Sequence, residues 1–181
     1  MVAQGLGEVL RKRIQRSSYW LGRCADASFL DVIGLAADLD YVEGMRGEAE
    51  LAQPTPFVCL LQRLVQLDPP PELLDELIRQ DDLKYVRLLA IVFVRLTVED
   101  PVVVHAALDV GLGDYRTLRL REPLGAAVEA APFDVVVEAH LGDERQAFMG
   151  VPLPSLLSRA NTAVATGQLL EWPRAYDSPA E

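Results

Sequence analysis

Asp81-Asp82-Leu83-Lys84-Tyr85-Val86-Arg87-Leu88-Leu89-Ala90-Ile91-Val92-Phe93-Val94-Arg95-Leu96-Thr97 is the stretch whose middle is apolar on every side of a helix. Its uninterrupted apolar run, residues 88–94, falls far short of the roughly 20 residues that a membrane span needs, so a soluble core must enclose it. Other helices must therefore surround this one. At about 100° per residue, Lys84, Arg87 and Arg95 share about a third of its circumference and make one polar stripe. Such a stripe can snorkel to water, pair with carboxylates of a neighbouring helix, or line a docking groove.

Prolines punctuate the chain where helices begin. Thr55 reads as the cap of a helix that starts with Pro56 and turns Phe57, Val58, Leu60, Leu61, Leu64, Val65 and Leu67 inward; Asp68-Pro69-Pro70 ends it. Pro71 opens the next, with Glu72, Asp75 and Glu76 near its positive end. Asp81 or Asp82 is expected to cap the central helix, and Asp100-Pro101 starts another that stops near Gly111. Ser28 and Asp31 form a capping-box pattern for a helix over 29–40, and an N-terminal helix is expected over 6–16. The segment 116–130, broken by Pro123 and Gly125, suits a short hairpin. Phe133 to Leu141 has a strand-favouring Val135-Val136-Val137, and one or two short helices are expected from Leu153, Leu156 and Leu157 to Leu169 and Leu170.

The 181 residues are half hydrophobic, enough for one sizeable core, and no linker divides them. The reading is an all-α fold: one multi-helix domain over 1–171 packed around the helix 81–97, with a small β-hairpin near 116–130 and a tail over 172–181. No basic start followed by an apolar run marks a secretory signal, so the chain is expected inside the cell, where Cys24 and Cys59 serve as buried thiols.

Catalysis finds little support. Two cysteines and two histidines give neither a CxxC pair nor an HExxH, so neither a metal nor another cofactor is expected, and His105 and His140 both lie on apolar helices. Cys59, near a helix start, is the one candidate nucleophile, yet Val58 and Leu60 place it in the core. Gly111-Leu112-Gly113-Asp114 lacks the lysine and preceding strand of a phosphate loop and reads as a helix stop.

Acidic residues outnumber basic ones by 27 to 17, a formal charge of -10, which opposes broad attraction to a phosphate backbone. The charge is segregated. Arg11, Lys12, Arg13, Arg16 and Arg23 occur with no acidic residue among them, whereas residues 26–50 carry seven acidic side chains against Arg46 alone. The basic segment, with Tyr19 and Trp20 inside it, is the candidate RNA contact, and a direct RNA-binding module is the alternative function.

Tyr19-Trp20 with Cys24, Tyr41-Val42-Glu43-Gly44, Gln53-Pro54-Thr55-Pro56-Phe57-Val58-Cys59-Leu60, the central helix and Asp114-Tyr115-Arg116 follow one another in an order and spacing that resembles the pre-mRNA-splicing factor 38 family. The resemblance runs from about Arg13 to Arg116. It implies a compact, mainly α-helical, nuclear, non-enzymatic component of the spliceosome that joins with the tri-snRNP and is required for activation. It also implies a helix over 133–141. Implied partners are a zinc-finger splicing protein, an extended helical protein and tri-snRNP components, with RNA touched only within the particle, no membrane, and a monomer when alone. Gln53, Lys84, Tyr85, Arg87 and Arg95 also match the family's motif positions. The charged residues Arg46, Lys84, Arg87 and Arg116 are the partner-contact candidates. The chain departs from the family around Gly44 and Gly47, where Glu43, Met45, Arg46 and Glu48 replace a glycine-richer stretch, and the long Arg/Ser-rich or acidic tail of many relatives is not expected of it.

Overall fold

The computed structural model describes residues 6–47, 52–121, 127–142 and 145–167. The central helix, α5 (Lys84–Thr97), buries every residue from Tyr85 to Leu96. Around it pack α2 (Phe29–Ala37), α3 (Pro56–Leu67), α4 (Pro71–Arg79) and α6 (Pro101–Leu112), as a helix apolar all round demands. Each large aliphatic side chain taken out of water contributes about 1.5–3 kcal/mol, so α5 is the chief source of cohesion. One hydrophobic cluster gathers residues from Leu6 to Leu153.

The remaining helices are α1 (Glu8–Gln15), α7 (Phe133–Leu141) and α8 (Arg159–Thr166), with a π-helical turn, Trp20–Cys24, between α1 and α2. Helix starts follow the sequence closely. Ser28 and Asp31 make a reciprocal capping box, and Asp100 accepts from Val102 N–H ahead of Pro101. One expected cap stands in place without a capping hydrogen bond, and another is corrected. Thr55 stands at the N-cap of α3, but its hydroxyl donates instead to the Glu43 and Gly44 carbonyls. Leu83, not Asp81 or Asp82, is the N-cap of α5, and Gln80 Oε1 accepts from its N–H at 2.7 Å. Helix α7 forms despite its three valines, because its apolar face packs on α6.

The expectation of an all-α fold is corrected: of the described residues, 58% are helical and 13% lie in strands. β1 (Val42–Glu43) runs parallel to β4 (Thr117–Arg121), with Val42 opposite Leu120, and β4 pairs antiparallel with β5 (Glu129–Pro132). The segment read as a lone hairpin is thus two strands of a three-stranded mixed sheet; Pro123 and Gly125 lie outside the described residues. β2 (Met45–Arg46) pairs with β3 (Gln53–Pro54), and β6 (Ala147–Phe148) with β7 (Val151–Pro152). Met149 and Gly150, both at positive φ, form the two-residue turn of that last hairpin. Among the described residues, α8 is found where one or two helices were expected after Leu153; Leu169, Leu170 and the tail 172–181 lie outside the described residues.

Gly44 is the closest approach in the sheet region. A Cβ there would sit 1.6 Å from the Met149 carbonyl oxygen, so the β1–β2 junction and the β6–β7 turn meet backbone to backbone.

Candidate protein-docking surface

Of the three cations of α5, Arg87 and Arg95 are buried and Lys84 is half-buried, and each donates to main-chain carbonyls. Lys84 Nζ donates to Thr117 O at 2.6 Å and lies over the Tyr85 ring, whose hydroxyl donates to Asp40 O at 2.9 Å. Arg87 donates through Nε to Ile78 O at 2.7 Å and through Nη2 to the Arg79 and Gln80 carbonyls, closing the C-terminal end of α4. Arg95, 2% exposed, donates to Leu141 O, Pro154 O and Arg145 O and so holds the chain after α7 against the core.

Arg87 is also the buried end of an ion network. Its Nη1 meets Asp114 Oδ2 at 2.5 Å and its Nη2 meets Asp81 Oδ1 at 2.7 Å. Asp114 in turn takes Arg116 at 2.5 Å, while Arg116 Nη1 donates to the Asp81 carbonyl. Burial pushes the Asp114 carboxyl upward, but hydrogen bonds from the Arg116 side chain and N–H and from Arg87 outweigh it and hold the group below the usual carboxylate range. The main chain of the same tripeptide starts α7: Phe133 N–H donates to Arg116 O at 2.8 Å and Asp134 N–H to Asp114 O at 3.0 Å. Asp114-Tyr115-Arg116 is therefore clamped on both sides, and Tyr115 stands out of it 66% exposed. Sequence reading placed Tyr115 in a matching motif without choosing it as a contact. A turn after Gly113, flanked by two inward-pairing charges, was the signal that the residue between them would face out.

Lys84, Arg87 and Arg116 thus meet at one edge, where the start of α5 adjoins the start of β4. Arg87, 4% exposed, is its foundation, and Arg116 stays partly open. Arg46 belongs to a separate group. It pairs with the buried carboxylate of Glu43 at 3.0 Å, and its guanidinium and that of Arg121 both lie over the Tyr41 ring. The β1–β4 register, which sets Glu43 opposite Arg121, brings this group together.

The basic segment is split by its helix. Arg11, Lys12, Arg16 and Arg23 are exposed, with Lys12 paired to Glu8 at 2.6 Å, and Arg13 is half-buried. Trp20 is buried and Tyr19 half-buried, so the adjacent aromatics are largely committed to the core. Ser17 links this region inward, donating to Ile14 O at 2.8 Å, accepting from Trp20 N–H and touching Cys59 Sγ at 3.7 Å.

Of the groups weighed for catalysis, Cys24, Cys59 and His105 are buried and His140 is half-buried. Burial, then the charge of Cys59 nearby, pushes the Cys24 thiol up to about 12; burial pushes Cys59 up to about 11. His105 Nε2 donates to Leu157 O at 2.8 Å. Among the described residues no group of three or more His, Cys, Asp or Glu is placed to hold a metal ion, and no helix is long and apolar enough to cross a membrane.

Comparison with known proteins places this architecture. The PRP38 family model matches residues 2–165. Pre-mRNA-splicing factor 38 of Schizosaccharomyces pombe is 36% identical over 154 residues, covering 85% of this chain and 70% of that protein. The Arabidopsis thaliana protein of the same name is 34% identical over 112 residues, 62% of this chain and 31% of the relative. Pre-mRNA-splicing factor 38A of Xenopus tropicalis is 32% identical over 152 residues, 84% of this chain but 47% of the relative, so the chain spans less than half of these last two. A chain in the crystal structure of the Snu23-Prp38-MFAP1(217-258) complex of Chaetomium thermophilum superposes with a TM-score of 0.80 at 24% identity, covering 94% of this chain and 89% of that one. The sequence resemblance and these matches agree, and the chain belongs to the PRP38 family.

Proposed function

We propose that this chain is a non-enzymatic protein-docking module of the spliceosome, a single domain that works in the nucleus, joins the assembly with the tri-snRNP and is required for its activation. The observation that carries the reading is the likeness to a chain crystallised in a Snu23-Prp38-MFAP1 complex, together with family membership over nearly the whole sequence. Its partners are then counterparts of those two proteins, one a zinc-finger splicing protein and the other extended and helical.

The clamped Asp114-Tyr115-Arg116 edge suits such a role. An exposed tyrosine beside a partly open arginine, both set by buried ion pairs, offers a rigid contact with little ordering cost on binding. Lys84, Arg87 and Arg116 supply this edge and Arg46 a neighbouring one; Arg87 acts through Asp114 and not by touching a partner. Arg11, Lys12, Arg13, Arg16 and Arg23 serve RNA only inside the particle.

Purified chain mixed with the two counterparts from its own source and resolved by size-exclusion chromatography tests the reading. Co-elution that survives nuclease and about 0.5 M salt, where phosphate contacts are largely screened, is expected. Separate elution of all three contradicts it.

A further inference from the structure

The π-turn and α2 enclose a groove of about 460 Å³ that the docking edge leaves unused. A second hollow of about 290 Å³, running toward the start of α3, shares Arg23, Leu35 and Asp38 with it, so the two adjoin, and together they are the channel. Leu21 and Leu30 stand on its lining 66% and 77% exposed, an unusual outlay of leucine surface in contact with water. Gly22 and Gly34 line it too, and a Cβ at either would meet nothing within 4 Å, so a partner backbone can come close.

Its electrostatics select the occupant. Asp26, Asp31, Asp38, Asp40 and Glu43 line the channel against Arg23 alone. Asp31 is spent on the capping box and Glu43 on Arg46, whereas Asp26, Asp38 and Asp40 are in no ion pair among the described residues. Phosphate is repelled by such a lining, which excludes nucleic acid. Residues 168–181 of the chain itself carry Glu171, Asp177 and Glu181 against Arg174, the wrong sign to fill it.

We propose that this channel seats a basic amphipathic helix of a partner protein, its leucine-like face on Leu21, Leu30 and Leu35 and its lysines or arginines flanked by Asp26, Asp38 and Asp40. The proposal rests on the docking reading and adds to it a second face of opposite charge. Helix-in-groove recognition needs an apolar stripe wide enough for i, i+3 and i+4 anchors, and complementary rim charge sets orientation and on-rate.

Fluorescence anisotropy on the full chain tests it. The probe is a fluorescein-labelled peptide of about 18 residues, about five turns, with leucines on one helical face and lysines elsewhere. Comparators are the same composition scrambled and the same pattern with glutamate for lysine. The amphipathic basic probe is expected to bind saturably, about tenfold or more tighter than either comparator. Leu21→Gln with Leu30→Gln, both at exposed positions and checked for folding by circular dichroism, should weaken it by about tenfold, and Asp26→Asn with Asp38→Asn should weaken it and flatten its salt dependence. Equal binding by all three peptides, or binding indifferent to both double variants, overturns the proposal. Concentration-dependent dimerisation that the leucine variants abolish would give the channel to a second copy and overturn it as well. If the probe fails while the counterparts of Snu23 and MFAP1 still co-elute, only the groove is lost; if they also separate, the docking reading itself fails.

Discussion

Arg95 holds three main-chain carbonyls from inside the core, and such a residue fails expensively when truncated. Arg95→Met keeps most of the volume and removes every donor, so urea denaturation should show a loss of about 2–4 kcal/mol. Asp114 makes a sharper case because its charge titrates. Its folded pKa is depressed, so its stabilisation is in place above about pH 4 and drains away as pH falls through the folded value. Asp114→Asn leaves Arg87 buried without its closest anion; a cost of about 2–3 kcal/mol at neutral pH and a flatter stability curve below about pH 4 are expected from denaturation across pH. The raised thiols give a third expectation. At about pH 8 almost no thiolate exists at Cys24 or Cys59, so a thiol reagent should label neither in the folded chain and both in denaturant. At this scale the sequence located Lys84, Arg87 and Arg95 on one stripe, but the carbonyls they bind are supplied by residues 7 to 59 positions away, which no local pattern encodes.

Elements that announce themselves through caps and periodicity were legible, and those too short for periodicity were not. Pro56, Pro71 and Pro101 all stand at the first position of their helices, since a missing N–H costs nothing there. Two-residue strands carry no alternation to read, and the β1–β4 pairing joins residues 42 and 120, far apart in the chain. The π-turn likewise has no composition of its own; Ser17 and the burial of Trp20 and Cys24 fix it from within. Gly44 exposes the dependence of these small sheets on close approach. Gly44→Ala drives a methyl into the Met149 carbonyl, which must shift the β6–β7 turn, and a loss of about 1–3 kcal/mol should be accompanied by changed amide signals at both hairpins in NMR spectra.

As a whole molecule, the chain combines an enclosed central helix with surfaces of opposite sign. The core was readable because a helix that is apolar all round must be covered on every side, whereas the proposed docking edge was only half visible: Arg87, read as a contact candidate, is buried, and Tyr115, read as a motif residue, stands exposed. That division, rigid ion-paired support beneath a small exposed aromatic and basic patch, is what a protein placed among other proteins requires. Tyr115→Ala, which removes an exposed ring and no ion pair, should leave the fold intact by circular dichroism while lowering partner recovery by about tenfold or more. The most direct test is affinity purification of the tagged chain from nuclear extract of its own source, with nuclease and a high-salt wash. Recovery of splicing proteins that persists through both treatments is the predicted result, and recovery of RNA alone, or of nothing, would contradict the account.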